Sequence, residues 1–179
     1  MLPEIIATPR VTLRPYSPAD IEDILEYATD AEWGRYLIAL TGSSYTPEDA
    51  QSFIAGQASL DRSVHPSWAI EFQGHAVGGF NVRFSHGHRI AEMGYGLSRR
   101  LWGQGFVAEA ARAVIAVAFE HYEQLVRFRA TCDARNSQSI RVMTKLGMKQ
   151  EALLRCDRLC RGELVDEAIF GLLRSEWAR

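Results

Sequence analysis

Three observations in the sequence predict a single α/β domain spanning residues 1–179. Strand-like and helix-like segments are interleaved rather than segregated, in the order β-α-α-β-β-β-α-β-α-β-β. Neither an internal repeat, a low-complexity stretch nor a shift of composition divides the chain, and 179 residues is a length that one core can serve. With 47% hydrophobic and 23% charged residues, the balance is that of a globular chain rather than a disordered one.

The first strand is Val11 to Pro15, a short β-branched run of alternating polarity. Ser17-Pro18 supplies the N-cap and first-turn proline of a helix whose Ile21, Ile24, Leu25 and Ala28 share a face and which ends near Thr29. Residues 30–45 have no clean period and read as a loop or broken helix carrying Trp33, Tyr36 and Tyr45. Thr46-Pro47 opens a second helix marked by Ala50, Phe53, Ile54 and Leu60. Trp68 to Phe72 and Val77 to Phe84 form a hairpin about Gln73-Gly74-His75. The turn Ser85-His86-Gly87-His88 then leads into the strand Ile90 to Leu97, completing an antiparallel meander. Phe106 to His121 is the clearest helix, with Glu109, Arg112 and Glu120 on one face and Val107, Ala111, Val114 and Phe119 across the other. Val126 to Cys132 reads as a strand, Ser137 to Leu146 as a helix with Gly147 at its C-terminal cap, and Leu164 to Leu173 as the last strand.

Composition excludes several classes of function. Lys and Arg total 20 against 22 acidic residues, a net charge of −2, so neither a nucleic-acid nor a membrane-surface partner is expected. Met1 to Arg10 lacks a basic start and apolar core, and no run of about 18 apolar residues occurs, so the expected location is cytoplasmic. Cys132, Cys156 and Cys160 are an odd number and read as reduced thiols; the Cys156 and Cys160 pair has no second pair nearby to complete a metal site. His86 and His88 have no third ligand in reach, read as solvated turn residues, and no metal is expected.

Leu97 to Phe106 carries the chemistry. It joins a strand to the clearest helix through Gly103 and Gly105, and a strand, glycine turn and helix N-terminus together cradle an anion. Glycine lets the backbone approach a ligand, the first-turn amides have no internal partner, and the macrodipole adds about half a positive charge. A dinucleotide fingerprint would need a third glycine and a P-loop a Gly-Lys-Ser/Thr, and both are missing. In the preceding strand, Glu92, Gly94 and Gly96 share a face opposite Met93, Tyr95 and Leu97. Glycines there weaken the strand unless something approaches closely, such as a slender ligand; the alternative is a bulge against a neighbouring helix.

These residues resemble the GNAT acetyltransferases: Arg100-x-x-Gly103-x-Gly105 matches the family's Arg/Gln-x-x-Gly-x-Gly/Ala signature. Ala91-Glu92-Met93-Gly94-Tyr95, Trp102-Gly103-Gln104-Gly105-Phe106 and Asn136-x-x-Ser139-Ile140-Arg141-Val142 look like the ribosomal-protein N-acetyltransferase branch, RimJ/RimL-like. Arg10 to Pro15 and Gly162 to Asp166 resemble its first and last parts, whereas residues 30–66 match nothing useful. The resemblance implies a central, mostly antiparallel sheet flanked by helices and opened by a splayed cofactor cleft. It also implies transfer of an acetyl group from acetyl-coenzyme A to a primary amine, on a protein N-terminus or a small molecule, by direct attack in a ternary complex.

On the same resemblance, pantetheine pairs with Glu92 to Leu97, the diphosphate sits on amides from Gly103 to Ala108, and Asn136 touches the cofactor. The implied cofactor contacts are Leu97, Ser98, Arg99, Arg100, Gly103, Gln104, Gly105, Phe106, Val107, Ala108, Asn136 and Ser139, with Arg141 and Lys145 as nearby cations. Glu92 is the expected proton acceptor, through water, against the alternative of an ion pair. The position of the superfamily's tyrosine acid is Met143, so Ser139 is expected to stabilise the thiolate. Glu32, Trp33 and Tyr36 are candidates for the acceptor pocket. A non-catalytic acyl-coenzyme A sensor stays open as the alternative, and so does the choice between monomer and homodimer.

Overall fold

A computed structural model of the chain describes residues 1–37 and 44–177. The predicted loop at 30–45 therefore falls partly on residues, 38–43, outside the described ones. The strands are β1 (Ile6–Ala7), β2 (Thr12–Arg14), β3 (Ser67–Phe72), β4 (His75–Ser85), β5 (Ile90–Leu97), β6 (Arg127–Asp133), β7 (Lys149–Cys160) and β8 (Glu163–Leu173). The helices are α1 (Ile21–Ala28), α2 (Pro47–Ser59), α3 (Phe106–His121) and α4 (Ser137–Lys145). One mixed sheet runs β1-β2-β3-β4-β5-β6-β8-β7, with every neighbouring pair antiparallel except β5 and β6.

That single parallel pair creates the cleft. Ile90, Ala91 and Glu92 pair with Arg127, Phe128 and Arg129, and there the ladder stops, although β5 continues to Leu97 and β6 to Asp133. Antiparallel partners β4 and β8 hold the outer edges of both strands along their full length. The backbone beyond Glu92 is thus left unpaired on its inner edge, which is the splay that the family resemblance implied.

Local chemistry explains the helices. Ser17 and Thr46 each form a capping box, with Asp20 and Asp49, and each is followed by proline. Ser17 first starts a short 3-10 turn, Pro18–Asp20, which runs on into α1. Asp20 is buried and satisfied by Arg14, whose guanidinium it meets at 2.8 Å. Helix α3 buries Phe106, Val107, Val114, Ile115 and Phe119 in the main core, each burial stabilising by about 1.5–3 kcal/mol. Helices α1 and α2 build a second, smaller cluster around Ile24, Tyr27, Ala50 and Ile54.

Several sequence expectations need correction. Strand β1 is an addition, paired with β2, so the sheet has eight strands where the sequence order predicted seven. His88 is not a solvated turn residue: it is half-buried, stacks on Tyr122 with ring centroids 4.6 Å apart, and its Nε2 meets the Ser63 carbonyl at 2.7 Å. His86 remains exposed, beside Ser85. Among the described residues no three His, Cys, Asp or Glu side chains gather as a metal site, and no helix is long and apolar enough to cross a membrane.

Candidate active site

Two cavities meet at the splay. The first, about 630 Å³, lies over the N-terminus of α3 and is lined by Leu97, Gly103, Gly105, Phe106, Val107 and Ala108, with Asn136, Ser139, Arg141 and Lys145 opposite. The second, about 710 Å³, opens on the side of α1 and α2 and mixes aromatic rings with polar side chains. Trp33, Tyr36, Leu37, Tyr95, Gly96, Asn136 and Ser139 line both, so they form the partition where contents of the two would touch, whereas Glu32 lines only the first.

Gly105 is the N-cap of α3, at φ 85°, a left-handed backbone that glycine adopts without strain, and no side chain caps the helix. The amides of Phe106, Val107 and Ala108 consequently face the first cavity as donors. The turn is braced by Arg10, which bonds Glu109 at 2.6 Å and the Gln104 carbonyl at 3.0 Å while lying over the Phe106 ring. Burial opposes ionisation of Glu109, but hydrogen bonds from Thr8 and Arg10 outweigh it and hold its pKa below the usual carboxylate range.

The structure divides the expected cations. Arg141 and Lys145 line the first cavity. Arg99 is instead bound to Asp30 at 2.6 Å and Arg100 to Glu26 at 3.0 Å, and neither lines a cavity. Ser98 is buried with its amide on the Val77 carbonyl, and Gln104 turns its side chain to the Arg100 carbonyl. These four residues, Ser98, Arg99, Arg100 and Gln104, thus support the turn, whereas the other expected cofactor contacts lie on the cavity wall.

Ser139 sits in the first turn of α4. Asn136 is the N-cap, its Oδ1 accepting from the Ser139 amide at 3.0 Å. The Ser139 hydroxyl lies 2.8 Å from the Tyr95 hydroxyl across the splay. Burial raises the Tyr95 pKa well above its ordinary value, against a smaller opposing effect of the bond to Ser139, so Tyr95 keeps its proton. Behind them Cys132 is buried, and that burial pushes its thiol up to about 11 even though Ser139 and nearby Arg158 pull it down.

Glu92 is placed differently from the expectation of a general base. It lies at the last rung before the splay, binds Arg129 at 2.5 Å and Arg83 at 3.4 Å, and lines neither cavity. The registers β4–β5 and β5–β6 put Arg83, Glu92 and Arg129 in one row, an ion-pair ladder across three strands. The bare face of Gly94 and Gly96 is also occupied: a Cβ on Gly94 would meet Asn81 at 3.1 Å, and one on Gly96 would meet the Trp33 ring at 3.1 Å. The Trp33 ring thus approaches Gly96 closely, while both glycines still line the second cavity. Met143 is fully buried in the main core and lines neither cavity.

Residues 10–149 match the family model described as an acetyltransferase (GNAT) domain, most of the chain. The chain belongs to the GNAT acetyltransferase family. It is similar over 178 residues, at 29% identity and across 98% of this chain and 99% of the relative, to "Uncharacterized N-acetyltransferase p20" of Bacillus licheniformis. Among solved structures, a GNAT-family acetyltransferase from Bacillus anthracis superposes with a TM-score of 0.84 at 25% identity, covering 96% of this chain and 99% of that one. RimJ of Mycobacterium smegmatis, in complex with CoA-disulfide, shares the fold with a TM-score of 0.86 at 22% identity, covering 99% of this chain and 90% of that one. The class of activity is acetyl-coenzyme A-dependent N-acetyl transfer.

Two participants were not visible in the sequence. Tyr95 is read there as part of a strand and of a family-like motif but given no role, and its pairing with Ser139 joins residues 44 apart. Arg158, in the second cavity, lies in β7, for which the sequence provides no range.

Proposed function

We propose that this GNAT enzyme binds acetyl-coenzyme A in the first cavity and transfers its acetyl group to a primary amine presented from the second. One observation carries the reading: the two cavities share a single partition, and that partition holds Ser139 and Tyr95. The residues present fit the cofactor, since the uncapped α3 N-terminus, Arg141 and Lys145 line one cavity and suit an anion. When bound, acetyl-coenzyme A supplies a thioester carbonyl as electrophile.

In this reading the second cavity delivers a neutral amine whose nitrogen attacks the carbonyl carbon. The carbon–sulfur bond breaks and sulfur leaves with the electron pair. Ser139 donates its hydroxyl hydrogen bond to the developing thiolate, and Tyr95, protonated, donates in turn to Ser139. The nitrogen then loses its proton to solvent. The carboxylate lining the second cavity, Asp49, caps α2 through its Oδ2, which accepts from the Thr46 amide and hydroxyl at 2.9 Å each, and among the described residues no carboxylate lines the partition. This favours an acceptor with a sizeable neutral fraction at pH 7, such as an α-amine near pKa 8, over a lysine near 10.4.

An acetyl-transfer assay over α-amino and ε-amino acceptors tests the reading. Turnover with α-amines supports it; binding of acetyl-coenzyme A without turnover on any amine supports the sensor instead.

A further inference from the structure

The second cavity carries one arginine, ion-paired with Glu167, among aromatic and polar side chains. Tyr16, Tyr27, Trp33, Tyr45, Phe53 and Phe80 line it, and Arg158 enters from β7. Arg158 has a side chain only 16% exposed, and Glu167 binds its Nη1 at 2.8 Å. Its Nε is buried and has no hydrogen-bond partner among the described residues. Arg62 and Arg127 share that condition, but of the three only Arg158 lines either cavity.

Arg158 also stands near the partition. Cys132, which lines the same cavity as Ser139, pairs across the sheet with Ala168, the neighbour of the Glu167 that binds Arg158. A planar anion on Arg158 would therefore lie in the same cavity as the amine that attacks beside Ser139. Guanidinium and carboxylate match as planar, charge-assisted partners, and the aromatic walls favour a flat or bulky apolar body.

Resting on the acetyl-transfer reading above, we propose that the acceptor is a free α-amino acid with an aromatic or large apolar side chain. Arg158 holds its carboxylate, the side chain lies among Tyr16, Tyr27, Trp33 and Phe53, and the α-amine faces Ser139. The pairing helps the chemistry as well as the binding. A free carboxylate keeps its neighbouring ammonium protonated by Coulomb attraction, and neutralising it on a guanidinium lowers the amine pKa toward the pH of the reaction.

The test is acetylation of L-phenylalanine, L-phenylalaninamide, phenethylamine and a short peptide with N-terminal phenylalanine by the full chain, with titration calorimetry of each onto the coenzyme A complex. The proposal expects kcat/KM at least about tenfold higher for the acid than for the other three, and tighter binding of the acid. Since the amide's amine is the easier to deprotonate, a preference for the acid isolates the carboxylate contact. Arg158→Gln combined with Glu167→Gln, which leaves no orphan carboxylate, should raise KM for phenylalanine about tenfold or more while leaving phenethylamine within about threefold. If that variant fails to fold, the wild-type comparison of acid with amide decides. Equal use of the amide or amine, or preference for the peptide, overturns the amino-acid acceptor and leaves acetyl transfer standing. No binding of acetyl-coenzyme A and no turnover on any amine overturns both.

Discussion

The hydroxyls of Tyr95 and Ser139 meet at 2.8 Å across the gap where β5 and β6 part, one contributed by the strand and the other by the first turn of α4. Neither element fixes the pair alone. Ser139 is placed by the Asn136 cap, and Tyr95 by the β4–β5 ladder that pairs it with Phe80. Ser139→Ala should lower kcat on the order of 10²-fold with KM for acetyl-coenzyme A little changed, because the lost donor acts on charge that develops only as the bond breaks. Tyr95→Phe should produce a smaller fall, about tenfold, since it removes only the donor behind Ser139. Steady-state kinetics with both variants checks this; a Ser139→Ala enzyme with unchanged kcat contradicts it.

Glu92→Gln should leave kcat within about threefold of wild type while reducing stability by on the order of 1 kcal/mol, as Arg83 and Arg129 lose the carboxylate between them. The pH profile of kcat is the sharper readout. A basic-limb pKa that disappears in the glutamine variant would return Glu92 to the proton path.

Asn136→Ala removes the α4 cap, which should cost about 1 kcal/mol and lower Tm by roughly 2–4 °C. Because the same side chain fixes the Ser139 amide, kcat should fall alongside Tm. A stability loss with unchanged kcat would show that the cap does not position Ser139.

Burial raises the pKa of Cys132, Tyr16, Tyr27 and Tyr95 in the folded chain. Groups of this kind stay neutral when folded but ionise when unfolded. Their stabilisation is complete below the unfolded values, about 8.5 for Cys and 10 for Tyr, and is lost as pH climbs toward the folded ones. Tm should therefore decline from about pH 8.5 upward, and Cys132→Ser should flatten the part below pH 10. Iodoacetamide at pH 8 should label exposed Cys156 and spare Cys132, as mass spectrometry of the native protein would show.

Local pattern carried the helices and the anion turn. Phe106 to His121 and Ile90 to Leu97 have the predicted bounds, since one shows a strong 3.6-residue period and the other sits between clear turn residues. Strand β7 left no legible pattern because, as an edge strand with a bulge between Leu154 and Arg158, it exposes nearly all its side chains and loses the alternation that marks a half-buried strand. The ion pairs of Glu92 are not legible in the sequence for a related reason. Its partners Arg83 and Arg129 lie on two other strands, and only the register of the sheet brings them together. Trp33 over Gly96, and the Tyr95–Ser139 pair, are likewise contacts of chain segments far apart, invisible to any window of periodicity.

The most direct test of the account is calorimetric titration of acetyl-coenzyme A into the wild-type chain and into Gly105→Leu. In that variant a side chain at φ 85° would crowd Lys145 and close over the α3 amides. The account predicts saturable binding by the wild type that is lost in the variant while the fold, followed by circular dichroism, persists. Equal binding by both would contradict the cradle at α3, and no binding by the wild type would contradict the proposed enzyme.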